Sequence, residues 1–135
     1  MKHFTLEPNM RSSIGGAFYP SGHALVMFPS AQDASRIGHG LIDKGIVSGD
    51  EVYLLTAETI LKEIAPTVAD SDNPLPSAGT DGSTVRAYTK LAQEGHTGLL
   101  IRTRDGATTE RVMELVRTVP YSMAQRYRTL VIEDL

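Results

Sequence analysis

The sequence contains no cysteine and no long apolar run. Without cysteine, disulfides and thiolate metal sites are excluded, so packing alone must stabilise the fold. Glu7 and Pro8 interrupt the start of the chain, where a signal peptide needs an unbroken apolar stretch. No segment reaches the roughly 18 apolar residues of a membrane-spanning helix. We therefore expect a cytoplasmic protein with no membrane partner.

An excess of basic residues is also lacking. Lys and Arg number 13 against 16 Asp and Glu, a formal net charge of -3. This balance disfavours nucleic acid as a partner unless the basic side chains cluster on one surface. With 135 residues, of which 41% are hydrophobic and 21% charged, the chain has the composition of a soluble folded domain. We predict an extended N-terminal lead-in over residues 1–22 and a single α/β domain over residues 23–135.

Catalytic signatures are missing as well. The sequence has no Gly-x-Ser-x-Gly elbow and no Gly-rich phosphate loop that ends in Gly-Lys-Ser/Thr. Its four histidines, at positions 3, 23, 39 and 96, do not show the close spacing of zinc ligands. We expect no catalytic residues, no metal site and no cofactor.

Four segments have the pattern of strands. Residues 24–28 and 97–103 are apolar without interruption at their centres, which is typical of strands buried on both faces. Residues 51–56 form the strand between them, and residues 123–133 alternate as a long, peripheral fourth strand.

Helical spacing appears between these strands. Ser30 caps a helix over residues 31–44, and Thr56 caps a short helix that ends at Pro66. Residues 66–83 are rich in Pro, Gly, Asp and Ser and are predicted to form a mobile loop. A third helix starts at Ser83 or Thr84, and Thr108 or Thr109 caps a fourth.

The resulting order is βαβ-αα-βαβ. It predicts an α+β, ferredoxin-like sandwich with an antiparallel four-stranded sheet and a helical insertion between strands two and three. Helices of that fold cover one face of the sheet, whereas the central strands are apolar on both faces. The second face requires a cover from the inserted helices, the lead-in or another subunit, and we expect a homodimer.

Three segments carry a family resemblance. They are residues 22–30 followed by Asp33-Ala34, residues 45–55, and Gly95-His96 before the third strand. In these segments the chain resembles a bacterial family of general, heat-induced stress proteins of small α/β type. The likeness covers most of residues 22–135 and implies a stress-associated role without a known enzymatic activity.

The most suggestive polar residues lie on the third and fourth strands: Arg102, Arg104, Arg126, Tyr127 and Arg128. They could form an anion or RNA site on an open sheet, but the central strands lack the aromatic pattern of RNA-binding domains. The alternative is a solvated edge strand that uses arginine against strand addition. His39, between Gly38 and Gly40, faces solvent, a partner or a ligand, while the two glycines favour close packing of the helix on the sheet.

These observations predict a non-enzymatic interaction or regulatory module. In this reading a homodimer contacts a protein partner through its loop or its N-terminal segment. The first alternative is a small-molecule or anion-binding protein, and the second is an RNA-binding domain.

Overall fold

The computed structural model describes residues 1–11, 16–69, 79–129 and 131–135. The fold is mixed α+β, with one sheet of six strands. The strands are β1 (Lys2–His3), β2 (His23–Phe28), β3 (Val52–Leu55), β4 (Thr97–Arg102), β5 (Met123–Tyr127) and β6 (Ile132–Asp134). The helices are α1 (Ala31–Asp43), α2 (Ala57–Thr59), α3 (Pro66–Ala69), α4 (Gly79–Gln93) and α5 (Gly106–Val116), with a π-helix over Ile60–Ile64 between α2 and α3.

The sheet is ordered β1-β3-β4-β2-β5-β6. Strands β1 and β3 pair in parallel, and every other pair is antiparallel. The two continuously apolar segments, β2 and β4, lie side by side at the centre, with Val26 opposite Leu99. Their predicted central, antiparallel pairing is therefore confirmed. Side chains of both strands are buried on both faces because the sheet lies between two apolar layers.

One layer, which we call the α1/α5 face, contains those two helices. Ile37 and Leu41 of α1 and Val112 of α5 pack there against Val26 and Leu99 of the sheet. Ser30 caps α1 by accepting a hydrogen bond from the Asp33 N–H at 3.2 Å, as its sequence predicts.

The opposite layer, which we call the insertion face, is covered by the π-helix, α4 and the N-terminal segment. Ile60 of the π-helix, Tyr88 of α4 and Phe18 pack against Leu25 and Leu100 of the central strands. The apolar face from which we predicted a dimer is therefore covered within one chain. It gives no physical reason for self-association.

The predicted long fourth strand is wrong. The chain turns after β5, where the Arg128 N–H donates to the Val131 carbonyl at 2.8 Å, and returns as β6. Strand β5 consequently pairs with β2 on one side and β6 on the other. It is not an edge strand, so the interpretation of its arginines as protection against strand addition is also wrong.

Several predicted helix boundaries also require correction. The carboxylate of Asp105 caps α5 by accepting the Thr108 N–H at 2.7 Å, so neither threonine is the cap. Pro66 begins α3 because a proline at the first helical position sacrifices no intrahelical hydrogen bond. Helix α4 starts at Gly79, ahead of the predicted Ser83 or Thr84. The predicted loop over residues 66–83 is thus helical at both ends, and residues 70–78 lie outside the described residues.

Candidate functional site

A pocket of about 470 Å³ opens at the end of the sheet where β2 begins and β4 and β5 end. It is lined by Ser21, Gly22, Thr103, Arg104, Arg126, Tyr127, Arg128, Thr129 and Val131. Four of the six candidate residues from the sequence, Arg104, Arg126, Tyr127 and Arg128, therefore lie around one cavity.

Backbone hydrogen bonds hold the three strand ends together at this pocket. The Gly22 N–H donates to the Tyr127 carbonyl at 2.9 Å, and the Thr103 N–H donates to the Gly22 carbonyl at 3.0 Å. Gly22 has a φ of +80°, which favours glycine over any residue with a side chain. The turn before β2 thus aligns the ends of β4 and β5, and the arginines beside them.

The charged lining of the pocket has one sign. Arg104, Arg126 and Arg128 contribute three guanidinium groups, and no carboxylate lines the described cavity. Such a concentration of positive charge is unexpected on a chain with a net charge of -3. The pocket is electrostatically suited to an anion.

Neighbouring carboxylates satisfy these arginines only in part. Arg104 binds Glu51 at 2.7 Å, close enough for a charge-assisted hydrogen bond. Arg126 and Arg128 approach Glu133 at 3.6 and 4.0 Å, which is beyond hydrogen-bonding distance. Both guanidinium groups therefore keep N–H donors for a ligand.

Asp105, the carboxylate that caps α5, lies within the electrostatic influence of Arg126. Hydrogen bonds from Thr108 hold the pKa of Asp105 below its ordinary value, and the nearby positive charge of Arg126 lowers it further. The side chain of Arg126 is only 15% exposed. Its charge is consequently less screened by water than that of a fully solvated arginine.

Thr103 supplies a buried hydroxyl at the pocket wall. The residue is 1% exposed, and its Oγ1 has no hydrogen-bond partner in the described part of the chain. An unpaired buried hydroxyl is destabilising, because it has lost water without gaining a partner.

Replacement of Thr103 by valine is expected to raise the free energy of unfolding by about 1 kcal/mol, since valine has nearly the same shape and removes the unpaired hydroxyl. Urea denaturation of the two proteins measures the difference. A loss of stability would show that the hydroxyl has a partner in solution.

Arg102 lies elsewhere. It is opposite His23 on the neighbouring strand, and the alternation of side chains directs both residues toward the insertion face, away from Arg126. Burial lowers the pKa of His23, and the positive charge of Arg102 lowers it further. His23 therefore adds no positive charge to this end of the sheet at neutral pH.

Tyr127 and His39 do not place their rings in the pocket. The Tyr127 ring is fully buried and packs edge to face on Phe18 and Tyr19, with ring centroids 6.3 and 5.0 Å away. His39 is exposed on α1. The adjacent Gly38 is buried, and a Cβ at that position would lie 3.3 Å from Leu99 Cδ2 on β4.

Sequence reasoning missed Ser21, Gly22, Thr103, Thr129 and Val131. The available signals were Gly22 directly before an apolar strand and Thr103 directly after another. Neither signal shows that the two strands end at the same place, because that depends on the pairing of β2 with β4.

We searched the described residues for metal-ligand clusters and for membrane-spanning helices. Those residues contain no group of three or more His, Asp or Glu side chains that could hold a metal ion. None of the helices within them is long and apolar enough to cross a membrane.

No protein-family model matches the chain, and neither a curated protein nor a solved structure is significantly similar to it. The resemblance to stress proteins stays a prediction.

Proposed function

We propose that this chain is a non-enzymatic binding module for a small ligand that carries a phosphate or carboxylate group. The observation that carries the proposal is the cavity at the end of β2, β4 and β5. Among the described residues, three arginines and no carboxylate line it. A regulatory role follows if occupancy of the cavity alters contacts of the neighbouring β5–β6 hairpin.

The chemistry of arginine supports this ligand class. A guanidinium group presents its N–H donors in a planar fork that matches two oxygens of a carboxylate or phosphate. The hydroxyls of Ser21 and Thr129 lie in the same lining and can hydrogen-bond the remaining polar groups of a ligand. A cavity of about 470 Å³ falls within the usual size range of small-molecule sites.

Single-stranded RNA fits the arrangement less well. RNA-binding domains of this general layout use an open sheet face with exposed aromatic side chains. Both faces of the present sheet are covered, and Tyr127 is buried. The arginines gather at the end of the strands, where one anionic group can be surrounded.

A ferredoxin-like core is part of the proposal. Strands β3, β4, β2 and β5 are adjacent in that order and antiparallel, and α1 and α5 each connect two strands that lie on either side of a third. This topology supports two split βαβ units. Cytoplasmic location, the stress association, the homodimer and a protein partner stay predictions.

Neutralising the two less satisfied arginines is expected to weaken anion binding by about 10-fold to 100-fold, since a hydrogen bond to a charged group contributes about 1.5–3 kcal/mol. Isothermal titration of inorganic phosphate and pyrophosphate, at fixed ionic strength, measures the affinity of the parent chain and of Arg126→Gln/Arg128→Gln. Glu133→Gln is expected to strengthen anion binding, because it removes the carboxylate that competes with the anion for both arginines.

The matched control is Arg111→Gln, which removes one exposed arginine of α5 that does not line the pocket. Its affinity for both anions should equal that of the parent chain. If Arg111→Gln weakened anion binding as much as the double variant does, the binding would be due to general electrostatic attraction and not to a specific site. Failure of the parent chain to bind any phosphate or carboxylate probe would refute the proposal.

A further inference from the structure

A second cavity, of about 460 Å³, lies between the π-helix and α4 on the far side of the insertion. One of its walls is apolar and is formed by Leu61, Ala65, Pro66 and Val68. Leu61 is 37% exposed and is one of two large hydrophobic residues exposed in the described part of the chain. This cavity, which we call the insertion groove, thus presents apolar surface to solvent.

The other wall is a polar stripe along α4. The groove is lined at helical spacing by Arg86, Thr89, Lys90 and Gln93. Between them, Tyr88, Leu91 and Ala92 pack into the core. The hydroxyl of Thr89 is satisfied by the Val85 carbonyl at 2.8 Å. The positively charged side chains of this wall, Arg86 and Lys90, are the groups that can bind an anionic ligand.

Arg86 and Lys90 have no acidic partner among the described residues. Five other arginines do have a carboxylate within 4.0 Å, namely Arg36, Arg104, Arg117, Arg126 and Arg128. Two like charges one helical turn apart destabilise a helix slightly, and an anion placed between them would remove that repulsion. Positive charge and apolar surface therefore face each other across one groove.

The π-helix explains how the apolar wall is formed. The Ala65 N–H donates to the Ile60 carbonyl at 2.9 Å. This bond joins residues five apart in the sequence, one more than in an α-helix, and therefore widens the helical turn. Ile60 and Ile64 stay fully buried, while Leu61 and Ala65 line the groove. Short π-helical turns occur frequently at functional sites.

We propose that the insertion groove binds an amphiphilic monoanion, a molecule with an aliphatic body of medium length and one carboxylate or sulfate head. The aliphatic body packs on Leu61, Ala65 and Val68, and the head lies between Arg86 and Lys90. Both ligand classes include a carboxylate, but the described lining of the arginine-lined pocket contains one aliphatic side chain, Val131. The aliphatic body of the ligand therefore distinguishes the two sites.

The test is a titration of the full chain with decanoate below the concentration at which it forms micelles, followed by calorimetry. Arg86→Gln/Lys90→Gln is expected to weaken decanoate binding by about 10-fold, since the head group loses its charged donors. Leu61→Ser is expected to weaken it as well, and the partial exposure of Leu61 allows this change without loss of the core. Decanol, which has no charge, should bind less tightly and should not respond to the double variant.

Two variants serve as controls. Lys62→Gln removes an exposed charge adjacent to Leu61 that does not line the groove, and Arg126→Gln disables the first pocket. Lys62→Gln should bind decanoate as the parent chain does. Arg126→Gln should keep the decanoate site that Arg86→Gln/Lys90→Gln loses, even where it removes carboxylate binding at the arginine-lined pocket. The proposal is overturned if decanoate fails to bind the parent chain, if the double variant binds it equally well, or if Arg126→Gln abolishes its binding.

Discussion

Replacement of Phe18 by alanine is expected to lower the free energy of unfolding by about 3–5 kcal/mol. Phe18 is fully buried, and its ring packs edge to face on Phe4 and Tyr127, with centroids 5.8 and 6.3 Å away. Its backbone N–H donates to Thr67 Oγ1 at 3.0 Å, which ties the segment to α3. The substitution leaves a cavity between the N-terminal segment and the sheet, and urea denaturation measures the loss.

A loss of this size is a large fraction of the stability of a typical small domain. Val131→Ala is the control, because this side chain is 58% exposed and its removal should change the free energy of unfolding by no more than about 0.5 kcal/mol. An equally small effect at Phe18 would mean that the segment around Phe18 does not pack on the sheet in solution. The insertion face would then require another cover, and self-association would again become the natural one.

Replacement of Gly98 by valine is expected to destabilise the chain by about 1–3 kcal/mol through overpacking. Gly98 lies within β4, opposite Met27 on one side and Leu55 on the other. A Cβ at this position would lie 3.0 Å from Met27 Sδ and 3.5 Å from Leu55 Cβ. Met27 and Leu55 are fully buried, so neither side chain has free space into which it can move.

Gly49→Ala is the matched control, because a Cβ at that position meets nothing within 4 Å. It should leave the midpoint of urea denaturation almost unchanged. If Gly98→Val is as stable as the parent chain, the insertion must be able to move away from the sheet. Such movement would also alter the insertion groove, whose apolar wall follows directly on Ile60.

The interior of the fold could be predicted from the sequence because it depends on local patterns. Uninterrupted apolar runs identified β2 and β4, and the cap at Ser30 together with helical spacing identified α1. The edges of the sheet could not be predicted in this way. Strand β1 has two residues, too few for any periodicity. Strand β6 follows a turn that is closed by the hydrogen bond between Arg128 and Val131, and the alternating pattern of the sequence does not indicate that turn.

The pocket could be predicted only in part. The arginines are conspicuous because the third and fourth predicted strands each carry two of them, but their grouping depends on register. Side-chain alternation separates Arg102 from Arg126, and strand pairing brings Gly22 beside Thr103 and Tyr127. The insertion groove carried no sequence signal, because a π-helical turn and a helix that starts at Gly79 both depart from the pattern from which helices are predicted.

The central position of β2 also determines how this protein exchanges its amide hydrogens with solvent. The strand is hydrogen-bonded to β4 and β5, and its residues from Ala24 to Phe28 are fully buried, so its amides open to water only when the whole domain unfolds. The short outer strands β1 and β6 can fray without disturbing that centre. The slowest amides of β2 therefore report the global stability of the domain, while those of β6 report local opening of the hairpin that borders the arginine-lined pocket.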